Sequence, residues 1–464
     1  MDRFINRDDE LRFLDGQYSM DAASLVIVYG RRRVGKTSLI HRFAQDKPFV
    51  YFFATEESEH QNIRMLKTQI SDFTNDVLLA QAEVDNWDIL FQTLIKHQID
   101  KRLVLVIDEF QYLGKTNPAF PSIFQRIWDT HLKNANLMVI LCGSLIQMME
   151  SQTLNYNSPL YGRRTGQIKL RQIDFLHYPE FFCDIPYKDL IELYAVTGGT
   201  PKYIELFNVD GGADIYANIE SNILNKQSLL FEEPIFLLQN EVKEIGSYFS
   251  IIRSIAAGNH KLSKICADLG VKQTSMPKYL KTLIDLDILE REVPVTESNP
   301  DKSKMGQYRI NDNFLSFWFK FVYPEKARLE LSDTLSVIEK IRANFIDNHV
   351  AYVYEAICRS EMWKLAQRGL LKFNKLGRWW NNKVEIDIVG IDTSGNDIVF
   401  GECKYRSKPM DTDVFETLLA KKDSVQWKND SRIEHYVLFS ISGYTDRLLN
   451  LETKRDDLIL FHHR

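Results

Sequence analysis

The sequence is poor in cysteine, has no long apolar segment and has no excess of positive charge. Its five cysteines are scattered and form no C-x-x-C pair, so we expect neither a disulfide framework nor a zinc knuckle, and a reducing cytoplasm fits best. No stretch approaches the roughly 18 to 20 apolar residues of a spanning helix, and the first residues carry no apolar signal segment. These absences predict a soluble cytoplasmic protein with no membrane partner.

The charge balance excludes a polybasic nucleic-acid coat. There are 58 Lys and Arg against 63 Asp and Glu, which gives a net charge of −5, so any contact with nucleic acid must be local. The hydrophobic content of 44% with 26% charged residues is typical of globular proteins. At roughly 150 residues per domain, the 464 residues leave room for several domains.

Two stretches of short apolar runs alternating with helical patterns flank a helical middle. The first has apolar runs at residues 25–29, 49–53, 103–107 and 137–142, which predict buried parallel strands of an α/β sheet. Helical patterns dominate from about residue 170 to 290. The last stretch predicts a helix over 349–367, strands at 384–389 and 397–405, a helix over 414–421 and a final strand at 435–439. Residues 294–306 are polar and turn-rich, which favours a linker.

The clearest motif lies between the first strand and the first helix after it. Residues 30–38 match G-x-x-x-x-G-K-[ST] in full, a loop whose backbone N–H groups and following helix N-terminus can surround a phosphate. Lys36 is expected to reach the β- and γ-phosphates and the Thr37 hydroxyl to ligate Mg²⁺. The nucleotide-binding residues are predicted to be Gly30, Arg31, Arg32, Arg33, Val34, Gly35, Lys36, Thr37 and Ser38.

A second strand ends in two acidic residues about seventy positions later. Asp108 is expected to hold the Mg²⁺ shell and Glu109 to orient and polarise the attacking water, which supplies what ATP hydrolysis needs beyond the phosphate loop. A third strand ends at Gly143-Ser144, where Ser144 could either sense the γ-phosphate or cap the next helix. These features together predict a nucleotide hydrolase.

Six segments of the chain resemble the archaeal-type P-loop ATPases of the AAA+/STAND group. They are Phe4 to Leu11, Gly30 to Thr37, Ile107 to Gln111, Cys142 to Ser144, Leu160 to Arg164 and Thr197 to Pro201. The resemblance implies ATP as the nucleotide and Ser144 as the sensor residue. It also implies an arginine that touches the nucleotide, for which Arg163 and Arg164 are the candidates.

The helical middle contains a pattern typical of a winged helix-turn-helix. Residues 261–289 predict two helices around Gly270, followed by a strand. Lys272, Lys278 and Lys281 could face a phosphate backbone. Nearby acids offset these lysines, so contact with a protein is as well supported as contact with double-stranded DNA.

Two charged strands near the C-terminus frame a turn at Ser394-Gly395. A hairpin centred on that turn places Asp387 opposite Glu402 and Glu385 opposite Lys404, and the two-residue period of a strand puts all four on one face. A bound cation would offset the repulsion between Asp387 and Glu402. Lys404 could then stabilise negative charge on a phosphodiester.

This D-x(14)-E-x-K hairpin is similar to the restriction-endonuclease-like PD-(D/E)xK superfamily. The resemblance implies that Asp387 and Glu402 are metal ligands, that Lys404 is the catalytic lysine, and that Glu355 on the preceding helix is an added acid near the metal. The proline that names the motif is absent, since Ile386 precedes Asp387.

The sequence therefore predicts an α/β protein of four parts. They are a P-loop ATPase core with a parallel sheet (1–170), a helical lid region (171–240), a winged helix-turn-helix (241–325) and a PD-(D/E)xK nuclease-like domain (326–464). The expected function is ATP binding and hydrolysis, coupled to a DNA-processing or DNA-binding C-terminal domain, with ATP and Mg²⁺ as cofactors. The alternative is a nucleotide switch or scaffold whose nuclease fold is inactive and binds DNA or a protein. Self-association or a protein partner stays open.

Overall fold

The computed structural model describes residues 4–97, 101–207 and 214–463. The chain divides into two compact units. The first comprises residues 1–173 with 200–202 and 237–243, and the second comprises residues 174–199, 203–236 and 244–464. The finer four-part division stays a prediction. Across the described ranges, no helix has both the length and the apolar character needed to cross a membrane.

The described residues up to residue 173 form a parallel sheet with helices around it. The strands are β1 (Ser24–Tyr29), β2 (Phe49–Phe53), β3 (Leu103–Asp108), β4 (Leu137–Gly143) and β5 (Gly166–Lys169). The helices are α1 (Asp8–Tyr18), α2 (Lys36–Ala44), α3 (Glu59–Thr74), α4 (Val77–Gln81), α5 (Trp87–Lys96), α6 (Gln111–Thr116), α7 (Phe120–Thr130) and α8 (Ile146–Met149). The strand order is β2-β3-β4-β1-β5, and every pairing is parallel.

The four strands predicted from apolar runs are confirmed. Every residue of β1, β3 and β4 is buried, because a parallel sheet covered on both faces leaves no solvent-facing side. Strand β5 was not predicted, since only Ile168 of its four residues is buried and no apolar run marks it. In a parallel sheet the carboxyl ends of strands lie at one edge, where ligands of open α/β sheets bind. The phosphate loop, Ser144 and Asp108-Glu109 follow β1, β4 and β3 at this edge.

Beyond residue 173, the described part of the chain contains helices, a two-stranded ribbon and a second five-stranded sheet. Its strands are β6 (Leu289–Glu292), β7 (Gln307–Ile310), β8 (Lys375–Trp380), β9 (Glu385–Ile391), β10 (Asp397–Lys404), β11 (Ile433–Ser440) and β12 (Leu458–Phe461). Its helices are α9 (Tyr187–Thr197), α10 (Pro201–Leu206), α11 (Ile215–Ile219), α12 (Glu233–Gln239), α13 (Ile245–Ala256), α14 (Leu262–Leu269), α15 (Met276–Asp285), α16 (Asn313–Phe317), α17 (Lys326–Glu330), α18 (Thr334–Phe345), α19 (Ala351–Gln367), α20 (Thr412–Lys422) and α21 (Asp446–Glu452).

The two helices predicted around Gly270 are present as α14 and α15. Gly270 has φ +66° and closes α14 in the left-handed conformation, which a glycine adopts without steric cost. Leu280 and Leu283 of α15 are buried. The strand expected after α15 is β6, which pairs antiparallel with β7 as a two-stranded ribbon.

The second five-stranded sheet has the order β12-β11-β10-β9-β8. Strands β10, β11 and β12 run parallel, whereas β9 is antiparallel to both of its neighbours. The strands and helices predicted for this region are confirmed, but the expectation that the chain ends on β11 is wrong, because β12 follows it. Strand β8 was also missed, because its charged and aromatic sequence KLGRWW has no clear alternation.

Residues 294–306 are not a linker at their start. Val295 is 3% exposed and belongs to the core of the second sheet with Trp379 and Ile386. Its backbone N–H donates to the Arg378 carbonyl at 3.0 Å, and the Trp379 indole donates to the Thr296 hydroxyl at 3.1 Å. The turn-rich composition of this segment concealed these anchors, since they depend on residues about eighty positions away.

Candidate nucleotide site and carboxylate cluster

The phosphate loop is closed by contacts within itself and with the end of the sheet. Gly30 has φ +149° and Gly35 has φ +95°, conformations that L side chains rarely adopt. The Lys36 ammonium is buried and donates to the carbonyls of Gly30 at 2.8 Å and Arg31 at 2.9 Å. Burial lowers the pKa of Lys36, against the opposing effect of nearby Glu109 and Asp108. The loop thus holds its cation in place at the N-terminus of α2.

Replacing Gly30 by alanine should damage this loop. A Cβ at Gly30 would lie 2.2 Å from the Leu170 carbonyl oxygen, which cannot move without shifting the backbone. We expect Gly30→Ala to lower the free energy of unfolding by about 1 to 3 kcal/mol and to weaken nucleotide binding, measured by urea unfolding and equilibrium titration. Gly16→Ala is the control: no atom lies within 4 Å of that Cβ, so stability should be unchanged or up to about 1 kcal/mol higher.

Asp108, the last residue of β3, is buried, and both of its carboxylate oxygens accept hydrogen bonds. Its Oδ2 accepts from the Tyr51 hydroxyl, and its Oδ1 accepts from the Glu109 N–H at 2.8 Å. Burial raises the pKa of Tyr51, with Asp108 adding to the rise and a hydrogen bond with Thr37 opposing it. The side chains of Thr37, Tyr51 and Asp108 are therefore close together. A hydroxyl and a carboxylate are the hard oxygen donors that Mg²⁺ prefers, so the residues present fit this ion.

Glu109 has a strained backbone and a fixed carboxylate. Its φ of +53° is unusual for a residue with a side chain. Oε2 accepts from the Ser144 hydroxyl at 2.8 Å, from the Ser144 N–H at 3.3 Å and from the Gln111 amide. Ser144 thus contacts Glu109 and does not cap α8, whose N-cap is Leu145. This arrangement orients the carboxylate from two elements, the end of β4 and the start of α6.

Arg163 and Arg164 engage their own surroundings. Arg163 donates to Asp129 at 3.0 Å and to the Pro159 carbonyl at 3.2 Å. Arg164 donates to the Leu154 carbonyl at 3.2 Å and lies over the Tyr161 ring. Neither set of contacts includes the phosphate loop, so the role of an arginine in touching the nucleotide stays a prediction.

Two residues that were not predicted from the sequence contact the backbone of the nucleotide site. Arg7 contacts the phosphate loop, and Glu241 contacts the start of α8. Arg7 is 6% exposed and donates to the carbonyls of Val34 and Arg171. Glu241 accepts from the N–H groups of Ile146 at 2.9 Å and Gln147 at 3.4 Å, at the start of α8. Burial raises the pKa of Glu241, and those two bonds oppose the rise. No local pattern marks Glu241, because its partners lie 95 positions earlier.

The second sheet brings three of the predicted nuclease-site residues together. The β9–β10 ladder pairs Gly401 with Ile388 and continues to Ile398 with Ile391, the register predicted from the turn. Asp387 lies one position beyond this ladder, and its Oδ2 accepts from the Cys403 N–H at 3.0 Å. Burial raises the pKa of Asp387, and the charge of Glu402 raises it further.

Glu402 is the centre of a small ionic cluster. It is 5% exposed, and its Oε1 accepts from Lys404 Nζ at 2.8 Å and from Lys421 Nζ at 3.1 Å. Burial lowers the pKa of Lys404, but Glu402 and Asp387 outweigh this effect and leave the pKa raised. Lys421, on α20, was missed by sequence reasoning. Its position in the last turn of a predicted helix gave no indication that it would meet β10.

Glu355 of α19 and Glu385 of β9 both lie next to Arg378 of β8. Glu355 lies 3.6 Å from Arg378, and burial, with Asp387, raises the pKa of Glu355 to about 7. Glu385 pairs with Trp380 of β8 and its carboxylate contacts Arg378. The β9–β10 ladder ends at Gly401 and Ile388, so the predicted opposition of Glu385 and Lys404 lies beyond it and stays a prediction.

The donor set suits one divalent cation only in part. Among the described residues, no three His, Cys, Asp or Glu side chains are grouped to hold a metal ion. The Glu355 Oε2 atom is buried without a hydrogen-bond partner. The carboxylates of Asp387 and Glu402 lie on adjacent strands, and Mg²⁺ is commonly bound by one or two carboxylates together with water and phosphate oxygens. These residues fit an ion bound by one or two carboxylates and not a closed cage.

The parallel sheet with its phosphate loop and acidic strand end defines a P-loop ATPase domain. Residues 4–207 match the family described as an ATPase domain predominantly from Archaea, and residues 318–417 match a family of archaeal and bacterial proteins of unknown function. A Walker-type ATPase of Pyrococcus abyssi shares the fold, at 21% identity and a TM-score of 0.50, over 68% of this chain and 96% of its own.

The chain belongs to the family of the uncharacterized protein MJECL04 of Methanocaldococcus jannaschii. The two are 34% identical over 405 residues, which span 87% of this chain and 88% of MJECL04. The uncharacterized ATP-binding protein MJ0423 of the same organism is 52% identical over 44 residues, which are 10% of this chain and 75% of that protein.

Proposed function

We propose that this protein binds and hydrolyses ATP and couples its nucleotide state to a DNA-processing site in the C-terminal sheet. The ATPase part is supported by the family match over residues 4–207. The observation that carries the DNA-processing part is the convergence of Asp387, Glu402 and Lys404 at one buried end of β9 and β10. A restriction-endonuclease-like domain, which follows the helix-turn-helix in the chain, accounts for this convergence.

In the nucleotide site, each residue has a separate task. Lys36 exchanges its two carbonyl partners for the β- and γ-phosphates, and the N–H groups of the loop donate to the same oxygens. Thr37 and Asp108 would hold Mg²⁺, which neutralises charge on the phosphates when bound. Glu109 orients the attacking water, and Ser144 positions Glu109 through its 2.8 Å hydrogen bond. The hydrolysis then proceeds by in-line attack of that water on the γ-phosphorus: the water gives a proton to Glu109, and the bond from the γ-phosphorus to the β–γ bridging oxygen breaks, so that ADP leaves.

In the C-terminal site, each residue likewise has a separate task, and the substrate is a phosphodiester. Asp387 and Glu402 would hold Mg²⁺ and, with it, a water for attack on the phosphorus. The Lys404 ammonium, which stays protonated because its pKa is raised, stabilises the negative charge that develops on the phosphate oxygens. Glu355, with a pKa of about 7, can accept a proton near the attacking water.

One cleavage experiment tests the proposal. A supercoiled plasmid and a linear duplex are incubated with full-length protein and Mg²⁺ or Mn²⁺, with and without ATP, beside the Lys404→Ala variant. Metal-dependent cleavage by the wild type that is lost in Lys404→Ala supports a nuclease. Cleavage that persists in this variant contradicts it.

A nucleotide switch that only binds DNA or a protein is the second candidate. It is favoured by the two lysines that already neutralise Glu402, at 2.8 Å and 3.1 Å, and by the lack of a three-ligand metal group in the described residues. If no substrate is cut under any condition while ATP changes the affinity for DNA or a partner, this reading replaces the nuclease.

The helix-turn-helix has its own prediction. Lys272, Lys278 and Lys281 are all exposed, although Lys281 pairs with Asp285 at 2.6 Å. If they contact phosphates, replacing all three by glutamine should weaken duplex binding and reduce the slope of log affinity against log salt by roughly two to three. The measurement is a duplex titration at several salt concentrations. An unchanged slope would assign this face to a protein partner. Lys133→Gln, in the ATPase domain, should leave the slope unaltered.

A further inference from the structure

A large cavity lies within the second unit, and Arg378 in its wall also borders the carboxylate cluster described above. Its volume is about 660 Å³, and its walls come from α13, the β6–β7 ribbon, α16, α18, α19 and β8. We call it the basic cavity. Clefts of roughly 300 to 1,000 Å³ are the size that proteins use for small organic ligands.

The lining of the basic cavity is strongly cationic. Six of its residues are Lys or Arg and two are Glu. Burial lowers the pKa of His260 to about 4 and of His349 to about 3, so both are neutral at physiological pH and do not change this balance. The six cations are Arg253, Arg309, Lys320, Lys340, Arg359 and Arg378.

Three arginines of the basic cavity, Arg309, Arg359 and Arg378, have too few hydrogen-bond acceptors. Glu292 lies 2.9 Å from Arg309, 3.8 Å from Arg359 and 3.9 Å from Arg378. The 2.9 Å contact lacks hydrogen-bond geometry, since both of its atoms are buried without a hydrogen-bond partner. Arg359 Nη1 and Arg378 Nε are likewise buried donors with no acceptor. Buried donors without acceptors are costly, so this cluster has spare capacity for an anion.

Glu290, Glu355 and Glu385 also lie near these arginines and contribute negative charge to the charge balance of the basic cavity. Glu290 is the cross-strand neighbour of Arg309, and Glu355 and Glu385 contact Arg378 on the side of the carboxylate cluster. Burial raises the pKa of Glu290 and, with Asp387, that of Glu355. These acids balance the arginines only in part.

Lys320 is a cavity cation that forms no ion pair with an acid among the described residues. Its ammonium donates to the Asn348 carbonyl, and in the described part of the chain it has no carboxylate partner. Burial, with the charge of Arg309, lowers the pKa of Lys320 to about 8. Lys320 and Arg309 both lie over Tyr352, with Nζ at 5.7 Å and Cζ at 5.8 Å from the ring centroid. Tyr352 is 48% exposed and could contact an apolar or aromatic part of a ligand.

We propose that the basic cavity binds a small phosphorylated molecule of about nucleotide size, whose phosphate is held between Arg309 and Lys320. Phosphate matches these donors because it brings charge and several acceptor oxygens to the same point. Binding would relieve the repulsion between the two cations. The site does not require that the C-terminal sheet cut DNA, and it does not use the phosphate loop.

The test is equilibrium titration of the full-length protein in a Lys36→Ala background, which impairs the phosphate loop. The probes are inorganic phosphate, pyrophosphate and AMP. We expect at least one of them to bind with one molecule per chain and to raise the melting temperature, because a ligand that binds only the folded state stabilises it. Lys320→Gln should weaken this binding at least tenfold and abolish the ligand-induced shift.

If Lys320 served only to stabilise the fold, Lys320→Gln should lower the melting temperature of the ligand-free protein. Because Lys320 is a half-buried cation without an acid partner among the described residues, its removal should instead leave this melting temperature unchanged or higher. Lys320→Arg, which keeps the charge, should bind within a few-fold of the parent, and Lys372→Gln, an exposed lysine of the same unit, should bind as the parent does.

Three outcomes would overturn the proposal. They are no binding of any probe, binding that Lys320→Gln leaves unaltered, and binding of duplex DNA alone that Lys320→Gln weakens. The last would make the cavity part of a DNA-contacting surface. A Lys320→Gln protein that fails to fold moves the decision to Arg309→Gln, which removes the other cation placed at the phosphate and should also weaken probe binding at least tenfold; unchanged binding there overturns the proposal as well.

Discussion

Lys36→Ala should bind ATP about 10- to 100-fold more weakly than the wild type, because a charged hydrogen-bond donor contributes about 1.5 to 3 kcal/mol. Glu109→Gln should bind ATP with nearly normal affinity and hydrolyse it about 10²- to 10⁴-fold more slowly, since it removes the group that polarises water. The glutamine keeps one oxygen to accept from Ser144, so the local structure should be retained. The measurements are equilibrium ATP binding and steady-state phosphate release.

The separation of these two effects is what tests the roles. Lys36 is held by loop carbonyls at 2.8 and 2.9 Å, whereas Glu109 is held from β4 and α6, so the two side chains contact different elements. Equal binding defects in both variants would contradict the division between binding and hydrolysis. Glu83→Gln, an exposed acid of the same domain, is the control and should alter neither quantity.

Loss of DNA cleavage should follow three substitutions in the C-terminal site, with different effects on the metal. Asp387→Ala and Glu402→Ala should each abolish cleavage and weaken binding of Mg²⁺ or Mn²⁺, because each removes a proposed ligand. Lys404→Ala should abolish cleavage and leave metal binding largely intact, because an ammonium is no ligand. Cleavage is measured on plasmid and linear duplex, and Mn²⁺ binding by titration.

The structure sharpens this experiment in two ways. Asp387 accepts from the Cys403 N–H, so Asp387→Asn, which keeps an acceptor, separates the lost charge from the lost hydrogen bond. Lys421 also contacts Glu402, whereas its neighbour Lys422 pairs with Glu434 at 2.6 Å. Lys422→Ala is therefore the matched control and should cleave normally. If Lys404→Ala cuts as the wild type does, the nuclease assignment fails and the ATPase domain is unaffected.

The sequence was most informative where chemistry and structure are local. The phosphate loop is contained in nine consecutive residues, and the buried strands β1, β3 and β4 are continuous apolar runs, so both could be predicted without knowledge of distant contacts. The β9–β10 register followed from one turn, because a tight hairpin fixes which residues face each other. Asp387 and Glu402 were brought together on that basis.

The sequence failed where a partner comes from another element. Tyr51 approaches Asp108 from 57 positions away, and Lys421 reaches Glu402 from the next helix. Strand β8 has no hydrophobic alternation, yet its pairing with β9 shifts register next to Arg378, and such an irregularity can re-aim a side chain. The Glu385 carboxylate contacts Arg378 at this place.

The sequence by itself determined the kind of each local element: the phosphate loop, the acidic strand end, the helix-turn-helix pattern and the charged hairpin. The tertiary structure alone decided which of them meet. It set β4 between β1 and β3, so that Ser144 contacts Glu109, and it gathered Arg309, Lys320 and Arg378 from separate elements around one cavity. The physical reason is that local patterns record which face of an element is buried, whereas the identity of the neighbour on that face depends on packing between residues far apart in the chain.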